Sequence, residues 1–164
     1  MATRKDSTRI PASPDPAIRV LRRFRLVFNS VKTHFRQVEK KAGMGGAQVW
    51  ALSVIAHMPG ITVGGLAREM DIHQSTASNL VRGLIEAGAV SASKDGADRR
   101  TVRLTLLAAG SRVLKRAPMP FTGVLPAALH SLDAATLARL EKDLNKLITV
   151  LHPDKRGARI PLAD

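Results

Sequence analysis

The sequence predicts a mainly α-helical fold with one small β-hairpin (α+β), and three observations lead to this class. Several long segments repeat apolar residues at helical spacing, whereas a short stretch after Gly88 alternates apolar and polar residues as a half-buried strand does. Only 3% of the residues are aromatic, so the core is expected to be aliphatic. With 164 residues, 45% of them hydrophobic, the chain is long enough for one domain with a substantial core.

The N-terminal region divides into an arm and a long helix. Residues 1–15 are polar, basic and proline-containing, which predicts a flexible arm that either solubilises the protein or reaches a partner subunit or DNA. Residues 16–42 repeat apolar side chains three and four positions apart, which predicts a helix that packs either into its own core or against a second subunit. The apolar stripe consists of Leu21, Phe24, Phe28, Val31, Phe35 and Val38.

The segment from Ala47 to Met58 is apolar nearly all round and stops at Pro59-Gly60. A helix without a polar face must be buried on most sides. We therefore expect this segment to be the central helix, joining the first helix to the elements that follow.

Residues 62–88 predict two short helices joined by a tight turn. Thr62 can cap the first helix, and Gly88 ends the second. This layout is typical of a helix-turn-helix, whose second helix enters the major groove of DNA. Amide side chains there can pair with adenine and arginine with guanine, while hydroxyls more often contact phosphate. The candidate DNA-contacting residues of this helix are Gln74, Ser75, Thr76, Ser78, Asn79 and Arg82.

Two predicted strands, residues 90–94 and 101–106, follow directly, and the link DGADRR between them begins with an Asp-Gly turn signal. A basic-tipped hairpin directly after a helix-turn-helix predicts a winged helix that grips duplex DNA. Arginines at the tip suit a narrow minor groove, and Asp98 is expected to orient Arg100 through a charge-assisted hydrogen bond. The candidate residues of the wing are Lys94, Asp98, Arg99 and Arg100.

The run GLIEAGAVSASKDGADRRTVRLTLLAAG resembles the signature of the MarR (multiple antibiotic resistance regulator) family of bacterial transcription factors. In that family a helix ending at glycine precedes a wing with Asp-x-Arg and then Leu-Thr, which here are Asp98, Arg100, Leu104 and Thr105. The resemblance covers the chain from about residue 15 to residue 151. It implies a dimer in which the first helix intertwines with the terminal helices of a second subunit.

This organisation makes residues 16–152 a single winged-helix regulator domain. Dimerisation helices are expected at 16–42 and 106–152, the DNA-binding unit at 47–106, and a C-terminal tail at 153–164, either mobile or packed back. In the second dimerisation region Thr105 can cap a helix, but the prolines at 118 and 120 predict a break. The last helix is expected to start at Asp133 and to carry a broad apolar stripe to Leu151.

The resemblance also implies that a small aromatic acid releases the protein from DNA. Such a ligand binds between the first, second and fifth helices, and it fixes the two DNA-binding units at a separation that no longer matches half-sites about 34 Å apart. The candidate effector residues are Arg22 or Arg25 for the carboxylate, with Asn29, Trp50 and His57 lining the pocket. A plain core role for Trp50 and a plain surface role for Arg25 are the alternatives.

Charge and composition exclude several classes. The 26 Lys and Arg against 13 Asp and Glu give a net charge of +13, which predicts a nucleic-acid partner before a membrane surface. The absence of cysteine excludes disulfides and thiol redox sensing, and the histidines show no metal-ligand spacing, so no metal or cofactor is expected. No catalytic motif, membrane span or secretion signal is present, which predicts a cytoplasmic protein that is not an enzyme.

The predicted function is a homodimeric, sequence-specific transcription regulator. We expect a repressor of a catabolic or resistance operon, released from a palindromic operator by a small aromatic or heteroaromatic carboxylate. Two alternatives stay open: an effector-independent nucleoid or architectural DNA-binding protein, and an RNA-associated helical module. A sequence-specific footprint on DNA that a metabolite relieves would distinguish the predicted regulator from the architectural protein. A preference for structured RNA over duplex DNA would identify the RNA-associated module.

Overall fold

The computed structural model describes residues 15–94 and 101–162. These residues form α1 (Pro16–Ala42), α2 (Gly46–His57), α3 (Val63–Glu69), α4 (Gln74–Glu86), β1 (Val90–Lys94), β2 (Val102–Leu106), α5 (Ala108–Arg116), α6 (Val124–His130), α7 (Ala134–Leu151) and a 3-10 helix (Lys155–Arg159). The mainly helical fold with one hairpin is therefore confirmed. The predicted arm up to residue 14 and the wing tip, with Asp98, Arg99 and Arg100, lie outside the described residues.

Helix α1 spans the predicted range and is capped at both ends. The Asp15 carboxylate accepts a hydrogen bond from the Ala17 backbone N–H at 2.8 Å, and Gly43 ends the helix with a left-handed φ of +70°. Its two halves differ in burial. Val31 and Val38 in the C-terminal half are buried, whereas Phe28 is 54% exposed and the apolar residues before it are also largely open.

Helix α2 is the centre of the molecule, as its all-round apolar character predicts. Val49, Ala51, Leu52 and Ile55 are fully buried, and the helix touches α1, α3, α4, α5 and β2. The core is therefore built around α2 and lies mainly within residues 46–106, which we call the winged-helix unit.

The two strands pair antiparallel, with Val90 opposite Leu106 and Lys94 opposite Val102. A short third stretch before α3 joins them, because the Gly60 N–H donates to the Leu104 carbonyl and the Leu104 N–H donates to the Ile61 carbonyl, each at 3.0 Å. Leu104 is fully buried, as the alternating pattern predicts. The hairpin is thus hydrogen-bonded to the segment that leads into the helix-turn-helix.

The helix after the wing starts later than the sequence indicated. Thr105 was expected to cap it, but that expectation is wrong: Thr105 pairs with Ser91 inside β2, and Leu107 occupies the cap position of α5. Thr105 belongs to β2 because strand pairing continues one residue further, to Leu106 opposite Val90. The break expected at the prolines is confirmed, since α5 ends at Arg116 and the next helix begins at Val124.

Helix α5 approaches the hairpin and α2 closely at Gly110. A methyl group at this position would meet the Ala89 carbonyl oxygen, the Leu106 side chain at 2.7 Å and the Leu52 side chain at 3.2 Å. Glycine therefore permits the close packing of α5 against the winged-helix unit.

The C-terminal part begins with α6, which contacts α1, and continues with the amphipathic helix α7, of which no residue is buried. The Asp133 carboxylate caps α7 as predicted, accepting from the Thr136 N–H at 2.9 Å. After α7 the chain packs back against the turn between α3 and α4 through His73. Within residues 15–94 and 101–162, no helix is long and apolar enough to cross a membrane.

Candidate nucleic-acid interface

Helix α4 has one buried and one open face, as the sequence predicts. Ala77, Leu80, Val81 and Leu84 are buried in the core. All six predicted DNA-contacting residues lie on the other face, with Thr76 half-buried and Gln74, Ser75, Ser78, Asn79 and Arg82 exposed. The packing therefore turns a continuous polar and cationic surface outward.

Two hydrogen bonds order this outer face. Arg82 donates through Nη2 to Oδ1 of Asn79 at 2.9 Å, and the Ser78 hydroxyl donates to the Gln74 carbonyl at 2.9 Å. The Asn79 contact restrains the Arg82 guanidinium while leaving the amide N–H groups of Asn79 available as donors. The face thus presents a partly oriented guanidinium and a free amide donor, the groups that contact base edges in a major groove.

A shallow groove of about 430 Å³ separates this helix from the root of the wing. Gln74 and Ser78 line it from α4, and Thr101 and Val102 line it from the hairpin. Thr62 completes it from below while its hydroxyl accepts from the Gly65 N–H at 3.0 Å, the predicted cap of α3. Helix α4, the predicted recognition helix, and the wing root therefore belong to one surface.

Arg103 is an exposed cation of the hairpin that the candidate residues do not include. It lies exposed on β2, and its Nη1 donates to the Gly60 carbonyl at 3.3 Å, where Gly60 has a φ of +82°. Its outward position in the alternating strand was visible in the sequence. Lys94, which was predicted, is exposed at the far end of β1.

Two of the predicted effector residues line a cavity of about 850 Å³. Trp50 and His57 contribute from α2, and the remaining walls come from the α3–α4 turn, α6 and the C-terminal segment. Apolar side chains dominate the lining and include Val54, Met58, Met70, Ile72, Leu129 and Ile160. The cavity is large enough for a drug-sized aromatic molecule.

Hydrogen bonds fix the tautomers of two histidines in the cavity wall. His57 donates through Nδ1 to the Ser53 carbonyl at 2.6 Å, and His130 donates through Nδ1 to the Pro126 carbonyl at 2.8 Å. Because a carbonyl oxygen only accepts, Nδ1 carries the hydrogen in both rings. The Nε2 atom of each neutral ring can then accept a hydrogen bond from a ligand.

The other predicted effector residues are not part of this cavity. Asn29 lines a separate shallow groove of about 370 Å³ between α1 and α6, whereas Arg22 and Arg25 line neither space. In a single chain, therefore, the five predicted effector residues do not line one pocket. The reason is that α1 packs on α2 through its C-terminal half, while Arg22, Arg25 and Asn29 lie in its exposed half.

In the described ranges of the chain, no group of three or more His, Asp or Glu side chains is placed to hold an ion.

The fold and the outer face of α4 define a class: a helix-turn-helix followed by a hairpin is a winged-helix DNA-binding protein. The family model described as "MarR family" matches residues 42–101, from the last residue of α1 to the residue before β2. An uncharacterised HTH-type transcriptional regulator, YsmB of Bacillus subtilis (strain 168), is 27% identical over 117 residues, which cover 71% of this chain and 80% of YsmB.

Solved structures show the same fold. A MepR-like protein complexed with pseudoligands superposes with a TM-score of 0.56 at 19% identity, covering 84% of this chain and 97% of that one. A mutant of MarR from E. coli, complexed with operator DNA, superposes with a TM-score of 0.53 at 18% identity. The superposition covers 82% of this chain and 99% of that one. The match over residues 42–101 confirms the resemblance to the MarR family that the wing sequence carried, and it supports a DNA-binding transcription regulator.

Proposed function

We propose that this regulator is a homodimeric repressor that binds a palindromic operator in a catabolic or resistance operon. The observation that carries the proposal is the outward polar face of α4, which adjoins the wing root across one groove. A surface that presents amides, hydroxyls and a guanidinium beside a basic hairpin matches the geometry of major-groove reading with a flanking minor-groove contact. The net charge of +13 supports a polyanionic partner.

The proposed dimer rests on apolar surface that one chain leaves open. Along α7, Leu137, Leu140, Leu144, Leu147 and Ile148 are all more than a third exposed, and the N-terminal half of α1 exposes Leu21, Leu26 and Phe28. A helix with a continuous apolar stripe is stable when that stripe is buried. We assign a second copy of the chain as the occupant, which places two α4 helices on one assembly.

Roles within the proposed complex follow from side-chain chemistry. Gln74 and Asn79 would read adenine and Arg82 guanine, while Ser75, Thr76 and Ser78 contact phosphates. Lys94 would contact the backbone beside the wing, and Arg99 and Arg100 would enter the minor groove with Asp98 orienting Arg100. A regulator that acts on an operator works where the chromosome is, so the proposed location is the cytoplasm.

The proposed effector is a small aromatic or heteroaromatic carboxylate. The cavity beside Trp50 and His57 supports an aromatic ligand by its size and apolar lining. The carboxylate group of the proposed ligand is inferred from Arg22 and Arg25, the two arginines expected to bind it. Both arginines lie outside that cavity in a single chain. Thermal-shift screening with aromatic carboxylates, repeated in the presence of operator DNA, tests the proposal, because a releasing ligand must bind the free protein more tightly than the complex.

The helix contribution is tested with Arg82→Ala and a charge-matched control, Arg112→Ala, on the exposed side of α5. Loss of a base-specific guanidinium contact costs about 1–3 kcal/mol, so operator affinity is expected to fall roughly 5- to 150-fold. Binding of Arg82→Ala to random duplex should weaken less than its binding to the operator, because a base-specific contact contributes only to the operator complex. Equal effects of the two variants on operator binding would instead favour the nucleoid alternative.

The wing contribution is tested with Arg100→Ala. Operator binding is expected to weaken sharply, because the proposed minor-groove contact is lost, while the mass of the assembly and its melting temperature stay unchanged. Fluorescence anisotropy on operator DNA and thermal melting measure both. Unchanged binding would remove the wing from the mechanism.

A further inference from the structure

The C-terminal segment contacts the helix-turn-helix of its own chain. Asp154 caps the short 3-10 helix by accepting from the Arg156 N–H at 3.0 Å, and this helix lies against the turn between α3 and α4. There the His73 N–H donates to the Arg159 carbonyl at 3.4 Å, and His73 Nε2 donates to the Arg156 carbonyl at 3.1 Å. Arg159 also pairs with Asp71 at 3.4 Å. Three polar contacts thus join segments more than 80 positions apart.

These contacts fall at the start of the recognition helix. His73 is the residue immediately before α4, and its side chain makes no capping bond to that helix. Its ring is hydrogen-bonded to the C-terminal segment instead. Asp71, whose carboxylate pairs with Arg159, holds a left-handed φ of +50°. The segment therefore restrains the turn that sets the direction of α4.

The same segment is also a wall of the large cavity. Ala158, Arg159, Ile160 and Pro161 line it together with Trp50 and Val54 of α2. Asp71, Met70 and Ile72 of the turn line it as well. One stretch of backbone thus borders both the cavity and the base of the recognition helix.

The contacts between the C-terminal segment and the α3–α4 turn are weak and exposed to solvent. The Arg159 and Asp71 side chains are 50% and 86% exposed, and an ion pair so exposed contributes little to stability. Ile160 keeps more than half of its surface open to solvent. Segments with few buried apolar contacts and exposed hydrogen bonds open at low free-energy cost. The docked and released arrangements are therefore close enough in free energy for a ligand or DNA to shift their populations.

We propose that residues 154–161 form a releasable strap, which closes the cavity beside Trp50 and holds the turn before α4, so that the state of the cavity and the setting of the recognition helix change together. The consequence for operator binding rests on the proposed function, whereas strap docking does not. Release of the strap would open the cavity and loosen the turn in one step. An occupant of the cavity could in this way alter the angle of the recognition helix.

The strap is tested without DNA, by comparing Arg159→Ala with Lys155→Ala in the full chain. Each variant removes one exposed cation from the 3-10 helix, but only Arg159 pairs with the turn. Trp50 is the sole tryptophan, so acrylamide quenching of its fluorescence reports access to the cavity. Arg159→Ala is expected to raise the quenching constant on the order of twofold, and hydrogen exchange of amides 71–76 should accelerate alongside it. Lys155→Ala should leave both unchanged.

Asp71→Asn, which weakens the same ion pair from the other side, should reproduce the effect, and combining it with Arg159→Ala should add little further. A chain ending at Pro153 should show at least as large a change in both readouts. The proposal is overturned if neither readout responds to Arg159→Ala and truncation, or if only one does, because a single strap must move cavity and turn together. Equal responses to Arg159→Ala and Lys155→Ala would also overturn it.

Measuring the operator affinity of the same variants distinguishes a failure of the strap from a failure of the proposed function. If the strap sets α4, Arg159→Ala should change operator affinity about threefold or more while Lys155→Ala does not, since a restrained turn pre-organises the helix. Failure of the wild-type chain to bind any duplex sequence-specifically would contradict the proposed function, and the contrast in quenching and exchange would still decide whether the strap exists. Sequence-specific binding that both variants retain equally would contradict the link from strap to helix.

Discussion

The winged-helix unit and the outer helices carry similar apolar patterns but bury them differently. In the unit, Leu66, Leu84 and Leu104 are fully buried within one chain, whereas Leu144 of α7 is 42% exposed. The difference shows that residues 46–106 complete their own core. The N-terminal half of α1 and the whole of α7, which we call the outer helices, need another surface to cover theirs.

Helix α1 contains both behaviours in one stripe. Val38 packs into the core around α2 and Val31 is buried, while Leu21 and Phe28 of the same apolar stripe stay exposed. Periodicity predicts that a helix has an apolar face, but not which body covers it. The proposed second copy provides the missing surface for the exposed half.

The largest effect is expected from Leu144→Glu, with Asn145→Glu on the same helix as the charge-matched control. An unpaired carboxylate buried in the proposed interface should raise the dimer dissociation constant on the order of 100-fold or more. Light scattering should then show a mass near 17.6 kDa for Leu144→Glu and twice that for the control. If both variants are dimers, or if both are monomers, Leu144 does not form the interface in the proposed way.

An intermediate effect is expected inside the winged-helix unit from Gly110→Ala, compared with Gly83→Ala. The added methyl at Gly110 meets backbone and two packed side chains, so overpacking should lower the free energy of unfolding by about 1–3 kcal/mol. At Gly83 it meets only the end of the flexible Gln48 side chain at 2.8 Å, and the gain in helix propensity of roughly 1 kcal/mol should offset the contact. Urea denaturation measures both, and equal stability would contradict the described packing of α5.

The smallest effect is expected at the start of α7. Hydrogen bonds from the Thr136 hydroxyl, and then from its backbone N–H, hold the pKa of Asp133 below its ordinary value of 3.8. Because the folded-state pKa is lowered, the cap stabilises α7 above the ordinary pKa and is lost as the pH falls through the lowered value. Circular dichroism from about pH 6 to about pH 3 should show a slight loss of helix that Asp133→Asn reduces and Asp143→Asn does not. Identical titrations of Asp133→Asn and wild type would contradict the cap.

Much of the fold could be predicted because its signals are local. Asp15 and Asp133 are caps with side chains that reach the first turn, Gly43 takes the left-handed conformation that ends α1, and Leu104 follows strand alternation. Thr105 misled the prediction since a hydroxyl residue suits a helix cap and a strand equally well, and the register of the hairpin decides between them. The outer face of α4 followed directly from helical periodicity.

The cavity and the strap could not be predicted in the same way, because both depend on contacts between distant segments. Trp50 and His57 were assigned to a pocket from the family resemblance, but the partner walls from α6 and residues 158–161 leave no periodic signal. The contact between Arg159 and Asp71 joins two exposed charges whose pairing is determined only by the path of the chain after α7. Arg22 and Arg25 were grouped with Trp50 because sequence order does not show where α1 leaves the core.

The most direct test of the central claim, that two copies of the chain present two α4 helices to one face of DNA, is hydroxyl-radical footprinting on a duplex selected by the wild-type protein. Two protected stretches of equivalent sequence are expected, related by a two-fold axis and centred about 10–10.5 base pairs apart. Arg82→Ala is expected to weaken the protection of both stretches equally. A single protected stretch, or uniform protection independent of sequence, would contradict it.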